Sequence, residues 1–285
     1  MTRIGVQAMM LKGAVQELGL FETLRKVAEI GFGVLEVSQI AMTESNVREL
    51  TRARNELGFD ICAVSAALDK SGTSGDALTT DFDKVVSDAH VLGATMVRIG
   101  MLPLASIRSI ESLHAFADAA ESMARRLEER QLRLHYHNHH IEFTKFDGRY
   151  ALDVIAERSP SVGLELDVHW LQRGGVDPRQ TIERFAGRVS MIHLKDFRVR
   201  VLSEEAEEHL AAGEFAEFTH RFNDVVEFAE VGEGNLDWAG IIPASIEAGA
   251  RYLVVEQDEL YGRDVFDCLQ TSRDNLVARG FGDLF

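Results

Sequence analysis

Residues 132–143 read LRLHYHNHHIEF, a short apolar run that leads into a cluster of polar side chains. Four of the ten histidines of the chain lie between His135 and His140, beside Asn138 and Glu142. Imidazole and carboxylate groups at the end of a buried strand are the ligands that a divalent metal ion or an acid–base site requires. A histidine-rich surface loop is the alternative for this stretch alone. The interpretation therefore depends on what the other strands carry.

The rest of the chain alternates short apolar runs with amphipathic helical stretches. The runs that we interpret as strands cover residues 4–7, 34–38, 61–65, 96–101, 132–138, 162–169, 190–195 and 252–257. Glycines such as Gly31 and Gly93 end helical patterns a few residues before a strand, as expected of helix C-termini. Successive strand–helix units predict an α/β fold with a parallel sheet, and eight such units close as a (β/α)8 TIM barrel. At 285 residues we expect a single TIM-barrel domain over residues 1–285.

The composition narrows the classes of partner. The chain has 30 Lys plus Arg against 46 Asp plus Glu, a formal net charge of -16, which would repel a nucleic acid. No apolar run reaches membrane-spanning length, and the N-terminus has no long apolar segment of the signal-peptide type. We therefore expect a cytoplasmic protein that binds a small molecule, with neither nucleic acid nor membrane as a partner.

The largest departure from even spacing lies between the seventh and eighth runs. There an acidic stretch, SEEAEEH at residues 203–209, begins a helical insertion that reaches about Phe222, within residues 197–230 or so. Such a loop on top of a barrel often forms a lid or a subunit contact, so a homo-oligomer is one expectation. A solvated acidic helix explains the composition equally well.

The sixth run, residues 162–170, alternates so that Glu165, Asp167 and His169 share one face. In a barrel both faces of a strand are covered, so these polar side chains must point into the interior. Asp167 is then a candidate metal ligand at the mouth. The alternative role for Asp167 is to cap the next helix; we expect that helix to begin only near Pro178.

Two more strands end in ligand-type side chains. Alternation in the seventh run places His193 and Lys195 on one face, and Glu256 follows three apolar residues in the eighth run. A buried carboxylate without a partner is costly, so a cation or a proton is expected beside Glu256. The mixed oxygen and nitrogen donors predict one divalent ion, with Mn²⁺ favoured and Co²⁺, Mg²⁺ or Zn²⁺ as competitors.

Five motifs resemble the sugar phosphate isomerase/epimerase family of xylose-isomerase-like TIM barrels, which is related to ketose 3-epimerases and inosose dehydratases. They are HNHxxEF at 137–143, LDxxW at 166–170, IHLKD at 192–196, GEGxxDW at 232–238 and VEQD at 255–258. The resemblance covers nearly the whole chain. It implies a metal held by Glu142, Asp167, His193 and Glu256. Strand alternation places His137 on the same face as His135 and His139, so His137 is the alternative ligand from the fifth strand.

The resemblance implies a metal-dependent sugar isomerase or epimerase that acts on a keto-sugar or related polyol through an enediolate. Glu142 and Glu256 are the candidate catalytic carboxylates, one for each face of the substrate. The candidate substrate-binding residues are His137, His139, His169, Trp170, Lys195 and Arg98. A carboxylate at Glu233 and the lack of a glycine-rich phosphate loop favour a substrate without phosphate. The alternatives are a lyase or dehydratase for an inosose or 3-keto-glycoside, and a sugar-binding barrel without catalysis.

Overall fold

Eight parallel strands close into a barrel in the computed structural model, which describes residues 1–71 and 75–285. The barrel strands are β1 Arg3–Gln7, β2 Val34–Val37, β3 Asp60–Ser65, β4 Met96–Ile99, β5 Arg133–His137, β6 Gly163–Asp167, β7 Val189–Leu194 and β8 Tyr252–Val255. Each strand pairs with its neighbours in sequence, and β8 closes on β1 in the register Arg3–Tyr252 to Val6–Val255. The (β/α)8 barrel predicted from the apolar runs is therefore confirmed.

Helices fill the connections between the strands and cover the outside of the barrel. They span Lys12–Leu18, Leu20–Ile30, Glu44–Leu57, Phe82–Leu92, Ile110–Glu128, Ala151–Arg158, Val168–Arg173, Pro178–Arg184, Glu204–Ala211, Phe215–Asn223, Trp238–Glu247 and Val265–Ala278. Gly31 ends the helix Leu20–Ile30 at a φ of 112°, a left-handed conformation that favours glycine. None of the described helices is both long enough and apolar enough to cross a membrane.

The barrel interior is apolar at the bottom and charged at the top. Val34, Met96, Met191 and Val254 belong to a buried apolar cluster in the strands. Close packing in the interior leaves little room: a Cβ atom at Gly163, the first residue of β6, would lie 2.5 Å from the ring of His135. A glycine on β6 therefore makes space for the imidazole from β5.

The connection after β6 differs from the prediction. A helix begins at Val168, directly after the strand, and the Oδ1 atom of Asp167 accepts a hydrogen bond of 3.0 Å from the backbone N–H of Trp170. The expectation that the next helix starts only near Pro178 was wrong, because Asp167 caps the helix Val168–Arg173. His169 consequently lies on a helix and not on the inward face of a strand.

The insertion between β7 and β8 is an antiparallel hairpin, Asp196–Val199 with Val226–Ala229, that carries the helices Glu204–Ala211 and Phe215–Asn223. The helical insertion predicted from the acidic stretch thus consists of two short helices. Asp196, at its base, accepts hydrogen bonds from the backbone of Gly232, Gly234 and Leu236 and from the indole of Trp238. One buried carboxylate therefore joins the start of the hairpin to the loop that follows it.

Candidate metal centre

Four buried side chains converge at the carboxyl ends of neighbouring strands. One potential ligand atom from each lies within 4.8 Å of the others, and the four residues are His137, Asp167, His193 and Glu256. His137 and Asp167 end β5 and β6, His193 lies near the end of β7, and Glu256 directly follows β8. The register pairs Asp167 with His193 across β6 and β7, which fixes the two side chains on the same level.

The atoms that face one another in this group are electron-pair donors. Asp167 Oδ2, Glu256 Oε2 and His193 Nδ1 are buried and make no hydrogen bond of regular geometry, although the ammonium of Lys195 lies near both oxygens. His193 Nδ1 contacts Glu256 Oε2 and lies 3.7 Å from Asp167 Oδ2. Buried carboxylates are costly unless a cation or a proton lies beside them. The arrangement therefore fits a divalent cation between these oxygens and nitrogens.

A second layer of charged side chains lies beneath the group. His193 Nε2 lies 2.8 Å from Glu36 Oε2 and 3.0 Å from Glu165 Oε1. Arg98 Nε lies 3.0 Å from Glu36 Oε1 and also bonds Glu165, while His137 Nδ1 is 3.4 Å from Glu165 Oε2. An Nε2–H of His193 that donates to these carboxylates leaves Nδ1 as the free donor atom. The lower layer thus orients the upper one.

Glu36 was missed by the sequence reasoning, which treated residues 34–38 only as an apolar strand. Arg98, a predicted substrate-binding residue, makes ion pairs with Glu36 and Glu165. Its guanidinium also donates to Ser38 and Ser65 at 3.2 Å. Because Arg98 is buried and always charged, it serves as the counter-ion of two buried carboxylates.

Lys195 supplies the positive charge of the upper layer. Its Nζ atom lies 3.1 Å from Asp167 Oδ2, 3.3 Å from Glu256 Oε2 and 2.9 Å from Asp258 Oδ1. Burial lowers the pKa of Lys195, but these carboxylates outweigh it and the pKa lies above its ordinary value. Burial raises the pKa of Asp167 and of Glu256, yet Lys195 brings both pKa values below the ordinary range. Both carboxylates are therefore anionic.

The carboxylates around His193 favour a positive charge on or beside its imidazole. Burial opposes protonation of the imidazole, but Glu165, Glu256 and Glu36 raise its pKa well above the ordinary value. In the absence of a metal, a proton therefore occupies the electron pair that faces the carboxylates. Proton and metal compete for such a site, because an imidazole must be neutral to bind a metal ion.

Glu142, the fifth-strand ligand implied by the family resemblance, is not brought into the group. It lies in a turn, Ile141–Phe143, and its carboxylate accepts hydrogen bonds from the hydroxyl of Tyr136 and, at 2.8 Å, from the backbone N–H of His139. Burial raises the pKa of Glu142 to about 7. The structure places His137, the alternative from the strand alternation, with Asp167, His193 and Glu256.

A cavity of about 760 Å³ opens above the group. Among the predicted substrate-binding residues, His137, His139, Lys195 and Arg98 line it. The loops after β1 to β4 form the opposite wall, which includes residues 38–42, 65–69 and 100–104. The sequence reasoning passed over these loops because they carry few ionisable side chains, although their position after barrel strands points to the mouth.

His169 and Trp170 stand behind the cavity wall and do not belong to its lining. The ring of His169 packs at 4.6 Å from Trp170, 5.3 Å from Phe197 and 4.9 Å from Phe228, the last two in the hairpin after β7. Trp170 in turn lies beneath the ammonium of Lys195, with 5.0 Å from Nζ to the ring centre. The two residues therefore support Lys195 from behind.

Comparison with known proteins agrees with this architecture. The xylose isomerase-like TIM barrel family matches residues 24–269, and the chain belongs to this family. A sugar phosphate isomerase/epimerase from Parabacteroides distasonis is similar in structure, with a TM-score of 0.74, 18% identity and coverage of 99% of this chain and 96% of the other. The chain matches no curated protein by sequence.

Two further solved structures are similar to this chain. The probable 3-DHS dehydratase AsbF from Bacillus anthracis has a TM-score of 0.66 at 14% identity, covering 97% of this chain and 99% of that one. A xylose isomerase-like TIM barrel protein from Mycobacterium smegmatis, in complex with magnesium, has a TM-score of 0.64 at 15% identity, covering 100% and 98%. At these identities the likeness establishes the fold alone.

Proposed function

We propose that the protein is a divalent-metal-dependent isomerase or epimerase that acts on a keto-sugar or a related polyol. The observation that carries this proposal is the group of four buried ligand-type residues at the C-terminal face of the barrel, next to the cavity. Membership of the xylose isomerase-like family and the sugar phosphate isomerase/epimerase among the similar structures support a sugar as the substrate.

His137, Asp167, His193 and Glu256 would hold one metal ion. Two nitrogen and two oxygen donors favour Mn²⁺, with Co²⁺, Zn²⁺ and Mg²⁺ as competitors, and the magnesium of the Mycobacterium smegmatis protein supports a hard divalent ion. We propose His137 in place of Glu142 because the carboxylate of Glu142 is already bonded to Tyr136 and His139.

When bound, a divalent metal would polarise the substrate carbonyl and stabilise the negative charge of an enediolate. Glu256 is anionic and lines the cavity, so its carboxylate is the candidate base that takes the proton from the carbon next to the carbonyl. Lys195 would donate hydrogen bonds to substrate oxygens. His139, whose pKa burial lowers to about 3, is neutral and can both donate to and accept from hydroxyls.

Return of the proton to the opposite face of the same carbon gives an epimer, and return to the neighbouring carbon gives an isomer. Loss of a β-hydroxyl or β-alkoxy group after the same proton removal makes the protein a dehydratase or lyase. The dehydratase among the similar structures is the observation that favours this second candidate. The cytoplasmic location and a homo-oligomeric state stay predictions, which cell fractionation and light scattering would test.

The test is solvent exchange at the carbon next to the carbonyl. Protein with one Mn²⁺ per chain, counted by elemental analysis, is incubated in deuterium oxide with keto-sugars, inososes and 3-keto-glycosides. We expect at least one compound to exchange its α-proton for deuterium, as seen by NMR, and its product to show whether the outcome is epimerisation, isomerisation or elimination. Tight binding of one compound without any exchange would mean a sugar-binding barrel without catalysis.

A further inference from the structure

The cavity has two chemically different sides. The metal-group side presents imidazole, ammonium and carboxylate groups from His137, His139, Lys195, Glu256 and Asp258. The opposite wall, from the loops after β1 to β4, carries apolar side chains set among polar ones such as Gln39, Ser65 and Asp76; the large apolar ones are Met9, Ile40, Met42, Leu68, Leu102 and Leu104. A sugar ring is covered with hydroxyls and needs polar partners, so the apolar wall suits a different part of the ligand.

The rim of this wall exposes large apolar side chains to solvent. Leu104 is 60% exposed and Met101 is 49% exposed, and both line the cavity. Leu102, which lies between them in the chain, also lines the cavity but is fully buried. Exposed apolar surface beside a polar pocket is typical of a ligand-binding site.

Charge on the described lining argues against a phosphorylated ligand. Among these residues the guanidinium and ammonium groups belong to Arg98 and Lys195. Glu36 and Glu165 neutralise Arg98, and three carboxylates surround Lys195. Away from the metal group, a phosphate dianion would thus find no uncompensated cation among the described lining residues, and Asp69 would repel it.

We propose that the substrate is an uncharged molecule of two parts, an oxidised sugar ring at the metal group and an apolar substituent against the loops after β1 to β4. The orientation of the ring rests on the proposed function. The cavity volume of about 760 Å³ lies in the upper part of the range of about 300–1,000 Å³ that ligand pockets span, which leaves room for a second group beside one ring.

Three compounds with the same reacting ring test this inference: methyl 3-keto-β-D-glucopyranoside, its phenyl analogue, and the 6-phosphate of the methyl compound. Binding to the Mn²⁺-loaded protein is measured by calorimetry. We expect the phenyl compound to bind about tenfold tighter than the methyl compound, because an aromatic ring buries apolar surface on the wall. The phosphate should bind at least about tenfold more weakly than the methyl compound.

Variants of the rim residues test whether the preference for the phenyl compound arises at the apolar wall. Replacing two exposed rim residues, Met101→Ser with Leu104→Ser, should lower the affinity for the phenyl compound far more than the affinity for the methyl compound, and so remove most of the gain. Leu18→Ser is the matched control, because Leu18 is 42% exposed and does not line the cavity. This control should keep the full preference for phenyl.

Equal or tighter binding of the phosphate, no gain from the phenyl group, or no binding of any of the three compounds would overturn the inference. Deuterium exchange in the same samples reports on the proposed function separately. A preference for the phenyl compound without deuterium exchange would support the proposed substrate class and contradict the proposed catalysis. Deuterium exchange together with a preference for the phosphate would support the catalysis and contradict the substrate class.

Discussion

His193 and Glu36 meet across the barrel: the imidazole Nε2 lies 2.8 Å from a carboxylate oxygen of a residue 157 positions away in sequence. β7 and β2 are not neighbours in the sheet, so the contact passes through the barrel interior. A contact from the far side of the barrel therefore orients His193, the imidazole that we propose as a metal ligand.

A Glu36→Gln substitution should weaken metal binding although it changes none of the four candidate ligands. An amide is a poorer acceptor than a carboxylate, so the imidazole of His193 would lose basicity and orientation. Loss of such a supporting partner typically costs about 10–100-fold in metal affinity. Calorimetric titration with Mn²⁺ measures the change, and the exposed Glu44→Gln serves as the control. An unchanged affinity would show that the lower layer has no part in metal binding.

Substitution of His137 and of Glu142, the two candidates for the fifth-strand ligand, should change the affinity for metal by different amounts. His137→Gln should lower the affinity for Mn²⁺ by more than about 100-fold, because a direct ligand contributes more than a supporting partner. Glu142→Gln should stay within about threefold of the wild type, since its carboxylate is bonded to Tyr136 and His139. Elemental analysis after dialysis against graded Mn²⁺ decides between them. The opposite pattern would restore Glu142 as the ligand.

Glu142 should also make stability depend on pH. Burial raises its pKa from 4.5 to about 7, so the folded chain keeps a proton that the unfolded chain releases above pH 4.5. This contribution is fully present below pH 4.5 and is lost as the pH rises through 7, a total of up to about 3 kcal/mol. Urea unfolding of Glu142→Gln should therefore show a smaller decline between pH 5 and pH 8 than the wild type shows. Parallel profiles for the two proteins would contradict the raised pKa.

Replacing Glu256 by Gln should affect turnover more than folding. Gln keeps the size of the side chain, and Lys195 keeps its contacts with Asp167 and Asp258. At saturating Mn²⁺ the melting temperature should stay within a few degrees, while exchange of the α-proton falls by about 10²–10⁴-fold. The exposed Glu247→Gln is the control. Exchange at the wild-type rate in a fully metal-loaded Glu256→Gln protein would exclude Glu256 as the base.

The eight strands could be predicted because barrel strands are covered on both faces and therefore appear as short apolar runs between helices. Asp167, His193 and Glu256 could also be found, since ionisable side chains at the ends of such runs are rare. The helix after β6 could not be placed, because alternation through Val168 and His169 fits both a strand and the first turn of a helix.

The positions of the carboxylates of Glu142 and Glu36 could not be predicted from the sequence. The spacing between His137 and Glu142 does not reveal that residues 141–143 turn and direct the carboxylate back to Tyr136. The contact of Glu36 with His193 exists only once the barrel has closed. Local pattern cannot predict a pairing that depends on closure of the whole sheet.

Asp196 lies at the start of the hairpin after β7 and is hydrogen-bonded to the loop that follows the hairpin. These bonds hold the base of the hairpin in place independently of its tip. The last strand pair of the hairpin is Val199 with Val226, and one further backbone hydrogen bond, from Arg200 N–H to the carbonyl of Val225, closes it; residues 201–224 make no strand pairing with it. Evolution or a protein engineer could therefore replace those residues with a short turn, or with a foreign domain, while Phe197 and Phe228 keep their places beside His169. The base of the hairpin is therefore a position where a foreign segment can be inserted near the cavity.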